Sequence, residues 1–383
     1  MALRGAQVNI LFTSSEPSES QWGGSAESVR LWADAVAGRG HRVRIVWPDE
    51  PPATRFPSEW RFMWQAMSAA ARYATRFGAM DIYHAQDRRA IIPTWIAARV
   101  KGRPCVLTLR DVGLLCPIAT CLLSHPRVPS DCGQRRLWRT CAAEFRQWYG
   151  DSTALRAKLA ARYAWLALER RIALRYDAVT FVSHGLMRVY EEAGFRPTTR
   201  RVTYSIAPIG VDVENRSGGR SVFIGKPSIG KGYLDYEEAA YLAGGVGDWR
   251  HIGPVPAVKG RCVRHMGPLP HEWTMREIAE ADVVVVPSRQ HDALPRVGLE
   301  ALACGRAIVG TTVGGIPELV DRGKNGALVP PSRASWLAAR ILEILDNADL
   351  RESYENHSRR LAETRFSASS CSSDLERLYG ALR

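Results

Sequence analysis

Two doubly wound parallel α/β sheets are what this sequence predicts, and three observations predict them. Short apolar runs alternate with stretches of helical periodicity along most of the chain, the pattern of a parallel sheet covered by helices. The alternation halts near Pro208 and then restarts. The 383 residues suffice for two cores of ordinary size, with 46% hydrophobic and 24% charged residues, values of a globular rather than a disordered chain.

Taken in order, strands are expected near 7–12, 42–47, 81–84, 105–109, 178–182 and 202–206. Helices fall between them near 25–38, 59–77, 89–100, 152–175 and 185–193. After the break, strands follow near 221–225, 249–252, 262–266, 282–286, 307–310 and 326–329, and amphipathic helices near 332–346, 349–363 and 370–382. Domain boundaries are set at 1–207 for an N-terminal domain, 208–365 for a C-terminal domain and 366–383 for a last helix. Only 111–150 is irregular over a long stretch, and a loop of that length is usually functional.

The stretch Asp282 to Pro330 carries the most chemistry. It reads as an apolar strand (Val283 to Val286), a polar loop, a helix opening near Val297, a second strand from Ala307, a Gly314-Gly315 turn and another helix start at Pro317-Glu318. Such repetition builds a ligand crevice at strand C-termini. A helix opening at Gly298 offers N–H groups to an anion, and its first turn is expected to carry Glu300. Asp292 lies eight positions earlier. A carboxylate at each end of a phosphate-sized gap suits a polyol on one side and a ribose on the other.

These residues resemble the donor-binding signature of GT-B glycosyltransferases, in particular the retaining family 4 (group 1). That family has an acidic residue, seven residues, then Glu, followed by a small-residue helix and a GGIPE turn. Here the pair is Asp292 and Glu300, where two glutamates are usual. Gln21 to Glu27 (QWGGSAE) with Gly38 to Val43 resembles the first strand-loop-helix unit. Thr108 to Asp111 with Leu115-Cys116-Pro117 resembles the acceptor-side loop, Ile209 to Asp212 the hinge, and Gly225-Lys226 with Lys231-Gly232 the diphosphate clamp. The resemblance covers nearly the whole chain. It implies a GT-B fold, with two Rossmann-like domains facing a cleft and a C-terminal helix crossing back to the N-terminal domain.

It also implies a retaining, metal-independent hexosyltransferase that moves a sugar from a nucleoside diphosphate, most readily UDP- or GDP-hexose, to an acceptor hydroxyl. The process implied is envelope glycan, glycolipid or natural-product glycoside synthesis. Lys226 and Lys231 would neutralise charge developing on the leaving diphosphate, work that needs no metal. Lys226 stands where arginine is usual and so keeps the charge without the bidentate fork. Asp292 would bind donor hydroxyls and Glu300 the ribose, with Leu294, Pro295, Arg296 and Val297 between them. Gly23 and Gly24 would let the first loop approach the donor closely. Arg110 replaces a histidine common in the family and would bind an acidic acceptor or the donor phosphates. Asp111 would orient it or act as an acceptor-side base. By position alone, His84, Asp87 and His184 fall at strand ends and are placed on the acceptor side, with core or surface roles as the open alternative for each. Two rivals share the donor clamp: an epimerase or hydrolase of nucleotide sugars, and a binding-only pseudo-transferase.

Charge and cysteines narrow the partners. Residues 1–200 hold 29 Lys and Arg against 17 Asp and Glu, residues 201–383 hold 23 against 22, and the net charge is +13. A basic N-terminal half without a nucleic-acid motif points to an anionic acceptor or an acidic membrane surface. The segment Glu59 to Arg76 mixes aromatics with arginines, as a membrane-lying helix does, although such aromatics more often pack inward. No apolar run reaches the ~20 residues of a membrane span. Val8 to Phe12 reads as a strand rather than a signal-peptide core, so a cytoplasmic location, peripheral at the inner membrane face as an alternative, is expected. The eight cysteines are then mostly reduced. Cys116, Cys121, Cys132 and Cys141 lack the tight paired spacing of zinc ligands, and packed thiols are the expectation.

Overall fold

The computed structural model describes residues 7–15, 24–47, 80–116, 155–212, 218–256, 260 and 262–383. Gly23, Cys121, Cys132, Cys141, the expected helix at 59–77 and most of the 111–150 loop lie outside the described residues. The chain divides into two compact units. One comprises Met1–Val182, Met187–Ser205 and Ala368–Arg383, the other Ser183–Leu186 and Ile206–Ser367.

The first unit is built on a parallel sheet of β1 (Asn9–Thr13), β2 (Arg42–Val46), β3 (Ile82–Ala85), β4 (Cys105–Leu109), β5 (Ala178–Phe181) and β6 (Arg200–Val202), in the order β2-β1-β3-β4-β5-β6. Every residue of β3, β4 and β5 is buried, as strands covered on both faces require. At the edge, β2 keeps Arg42 and Arg44 exposed, which blunts its unpaired side. Helix α1 (Gly24–Ala37) buries Val29, Trp32, Ala33 and Val36, one face at 3.6-residue spacing. A short 3-10 turn (Arg88–Ala90) precedes α2 (Ile91–Val100), so the single helix expected from residue 89 is divided. Helices α3 (Leu155–Ala173) and α4 (His184–Glu192) follow.

The second unit repeats the plan with β7 (Arg220–Ile224), β8 (Asp248–Ile252), β9 (Arg264–Gly267), β10 (Val283–Val286), β11 (Ala307–Thr311) and β12 (Gly326–Val329). Their order, β12-β11-β10-β7-β8-β9, is the Rossmann order, and it reverses between β7 and β10. Crossovers α5 (Tyr233–Leu242) and α6 (His271–Glu280) were not among the expected elements, although parallel neighbours need such connections. Helix α7 (Arg296–Ala303) ends at Gly305, whose φ of +72° and the bond from Arg306 N to Ala301 O (2.7 Å) close its last turn. The second expected start, at Pro317, is only one 3-10 turn (Ile316–Glu318). Helices α8 (Ala334–Leu345) and α9 (Ala348–Glu363) complete this unit.

The last helix, α10 (Ala368–Ala381), belongs to the first unit and packs on α1. Glu376 of α10 pairs with Arg39 and His41 just beyond α1. Its inner face buries Cys371, Leu375, Leu378 and Tyr379.

Candidate functional site

The loops leaving β7 and β10 meet where the strand order of the second sheet reverses, the place an open α/β sheet holds a ligand. They are laced together. Arg289 N and Gln290 N both donate to Gly230 O, at 2.9 and 3.0 Å. Gly232 sits at φ +71°, and a Cβ there would lie 1.8 Å from Pro287 O, so only glycine allows this approach. Arg289 Nε donates to Asp235 Oδ2 of α5 at 2.7 Å, and Thr311 Oγ1 to Ser288 O at 2.6 Å.

That lacing brings together two residues 61 positions apart. Lys231 Nζ donates to Asp292 Oδ1 at 2.9 Å and to Oδ2 at 2.7 Å, and Ser288 Oγ donates to the same Oδ2 at 2.7 Å. The Asp292 side chain is 15% exposed and that of Lys231 33%, a half-sheltered pair at the rim of the loops. Lys226 is exposed on the same loop and, among the described residues, makes no ion pair. The Gly314-Gly315 turn supports Asp292 from behind. Gly315 N donates to Asp292 O at 2.7 Å, and a Cβ on Gly314 (φ +58°) would come within 2.1 Å of that same oxygen.

Helix α7 starts at Arg296, after Pro295, which gives no side-chain cap. Glu300 is therefore its fifth residue and not in the first turn, which corrects the expectation, because the helix opens two residues earlier than Gly298. Leu294 and Pro295 are buried beneath this start and Val297 is partly exposed. Glu300 is 5% exposed and accepts from Arg296 Nε at 2.9 Å, with His271 Nδ1 3.9 Å from Oε1. The Arg296–Glu300 pair was visible in the sequence as an i, i+4 spacing. His271 was not foreseen, since it lies on α6.

The residues expected on the acceptor side separate. His84 was placed at a strand end facing a ligand, but it is 1% exposed inside the first unit. Its Nδ1 lies 2.6 Å from Tyr379 Oη of α10 and its Nε2 2.7 Å from Thr108 Oγ1. Burial, with the Arg110 charge adding to it, lowers its pKa to about 3, so it is a neutral core group. Asp87 caps the turn at Ala90 N (3.1 Å) and binds Ser15 N (2.6 Å) and Ser14 Oγ (3.2 Å), tying the end of β3 to the end of β1. Arg110 donates from Nε to Gln86 O (3.2 Å) and from a terminal nitrogen to Gln86 Oε1 (2.7 Å), while Asp111 Oδ1 accepts from Gly113 N (2.7 Å). Gly24 opens α1. His184, grouped with the second unit, is exposed, and Glu318 accepts from its backbone N–H (2.9 Å) and that of Gly185 (2.7 Å). Cys116 is buried. Among the described residues no group of three or more His, Cys, Asp or Glu side chains is placed to hold a metal ion.

The two parallel six-stranded sheets have the GT-B architecture. Sucrose-phosphate synthase from Thermosynechococcus elongatus superposes with a TM-score of 0.73 at 18% identity, covering 98% of this chain and 99% of that one. HepE of Anabaena in complex with UDP gives 0.64 at 16% identity, covering 98% and 100%. The sequence profile named Glycosyltransferase Family 4 matches residues 22–214, and that named Glycosyl transferases group 1 matches 240–347. The chain therefore belongs to glycosyltransferase family 4.

Among curated relatives, D-inositol 3-phosphate glycosyltransferase of Corynebacterium jeikeium is 41% identical over 91 residues, 24% of this chain and 22% of that protein. Alpha-D-kanosaminyltransferase of Streptomyces kanamyceticus is 31% identical over 113 residues, 30% of this chain and 29% of that protein. The matched segments thus span well under half the length of these relatives. No helix among the described residues is long and apolar enough to cross a membrane.

Proposed function

We propose that this chain is a retaining glycosyltransferase that moves a hexosyl unit from a nucleoside-diphosphate sugar to an acceptor hydroxyl. The observation that carries the reading is the side-chain cluster on the loops at the β7/β10 reversal: Lys231 paired to Asp292, with Lys226 exposed on the same loop and the start of α7 beside them. An ammonium has three N–H donors, and Asp292 engages two. The third can meet a phosphate oxygen without breaking the pair, and Lys226 adds a second charge to the leaving diphosphate. Asp292 keeps lone pairs for donor hydroxyls. Buried Glu300 is aimed by Arg296 to accept from ribose hydroxyls.

Retention fits front-face departure and attack, in which the diphosphate itself helps deprotonate the acceptor and no protein nucleophile is needed. Asp292 lies among donor-binding loops and Asp111 in the other unit, and Asp111 with Arg110 is assigned to the acceptor. The basic N-terminal half favours an anionic acceptor or one lodged at an acidic membrane surface, with the chain at the cytoplasmic face. UDP- or GDP-hexose is the donor class. NMR of the product tests the reading. An α-linked product from an α-linked donor, formed equally well in EDTA, is expected. An inverted product, or activity abolished by chelation, would overturn it.

A further inference from the structure

Beneath the Gly225–Lys226 loop lies a histidine pair that the donor site as described does not use. His251 on β8 is fully buried, 5.4 Å from the Phe223 ring and 5.0 Å from the Tyr233 ring. A phenylalanine would fill that apolar space as well, so what distinguishes the histidine is its hydrogen bonding. Its Nε2 is 3.0 Å from Gly225 O and its Nδ1 is 3.1 Å from His265 Nδ1.

The proton positions follow. A carbonyl oxygen only accepts, so His251 Nε2 carries a hydrogen. Burial disfavours a second proton on this ring, which leaves Nδ1 as an acceptor, and the His265 Nδ1–H must donate to it. Glu237 lies behind, with Oε1 4.0 Å from His265 Nε2, held by Tyr233 Oη at 2.5 Å and Gly260 N at 2.8 Å. His265 therefore fixes the tautomer of His251, whose Nε2–H in turn holds the Gly225 carbonyl.

That carbonyl is confined on a second side. Gly225 has φ +145° and Gly253 φ +147°, and a Cβ on Gly253 would come within 2.3 Å of Gly225 O. Gly225 N meanwhile donates to Ile252 O at 2.9 Å. Two glycines and one imidazole N–H thus turn the carbonyl of the residue before Lys226 down into the sheet. An upward carbonyl would set a negative dipole against a bound diphosphate.

We propose that His251, fixed by His265, is a positioning residue that holds the Gly225 carbonyl inward so that the Gly225–Lys226 loop accepts a nucleoside diphosphate. This rests on the donor-site reading above. The test is titration calorimetry of the full chain with UDP, GDP, ADP and dTDP, on wild type, His251→Phe and His251→Gln. The glutamine amide can restore an N–H near the Nε2 position. Wild type should bind at least one of the four nucleotides, His251→Phe should bind it about tenfold more weakly, and His251→Gln should recover most of that loss. Equal affinity in all three proteins overturns the proposal, as does an equal loss in both variants, which would mean a packing role alone. If His251→Phe does not give a cooperative thermal transition, His265→Phe decides, since it keeps His251 but removes the donor that fixes its tautomer. That variant should also weaken binding, and unchanged affinity overturns the proposal. Failure of wild type to bind any of the four sinks the donor-site reading and this proposal with it.

Discussion

Lys231 spends two of its three donors on Asp292 before any donor sugar arrives, so the two groups hold each other in place. Removing one member strands the other in a half-sheltered site, which costs more than the pair contributes. Lys231→Ala is therefore expected to weaken nucleoside-diphosphate affinity by about 10- to 100-fold, read by calorimetry, as hydrogen bonds to charged groups are worth about 1.5–3 kcal/mol. Glu300→Gln keeps the shape of the helix but removes the charge facing Arg296. Its expected signature is a rise in donor KM of about tenfold with a smaller fall in kcat, because the ribose lies away from the reacting centre. A kcat loss with unchanged KM would refute the ribose assignment. The pairing of Lys231 with Asp292 could not be read from the chain, because nothing in a 61-residue separation reports which loops the sheet order brings together. The Arg296–Glu300 contact, by contrast, is legible as an i, i+4 spacing on one helix.

Among the elements, strands declare themselves and crossovers do not. The run Val283 to Val286 is buried at every position, and apolar residues without alternation mark a parallel strand at the centre of a sheet. Helix α5 carries Tyr236, Ala239 and Ala240 inward but leaves Leu234, Tyr241 and Leu242 exposed, so its apolar residues encircle it and no stripe appears in the sequence. The Gly314-Gly315 turn gained its meaning only from the structure, as the shelf under the Asp292 backbone. Gly314→Ala would force a Cβ against Asp292 O at a positive φ. A loss of about 1–3 kcal/mol in unfolding free energy is expected, with transfer activity falling further than stability because Asp292 is displaced. Urea denaturation and initial rates on the same preparation separate the two effects. Equal stability and activity to wild type would show that the shelf has no role.

Across the molecule, His84 links elements from distant parts of the sequence. Tyr379 stands 295 residues away from it, and Thr108 in turn lies 2.8 Å from Thr180 Oγ1. A histidine near a strand end looks like a site residue until its partners are known, and here they are core groups. Its pKa of about 3 in the folded chain lies below the 6.5 of an unfolded histidine. The stabilisation is present above pH 6.5 and is lost as pH falls toward 3, with a slope approaching 1.4 kcal/mol per pH unit from this group. His84→Asn should remove that share of the slope between pH 6 and 4, followed by denaturation at each pH; an unchanged slope would contradict the neutral-core assignment.

The central claim is that the second unit holds a nucleotide sugar between the β7 and β10 loops. Thermal unfolding of wild type and Lys231→Ala against UDP, GDP, ADP and dTDP and their hexose conjugates tests it most directly. At a hundred times its dissociation constant a ligand adds about 2.7 kcal/mol, a rise of several degrees. A rise selective for one base is expected in wild type, and its loss in Lys231→Ala. No rise with any nucleotide, or the same rise in both proteins, would contradict it.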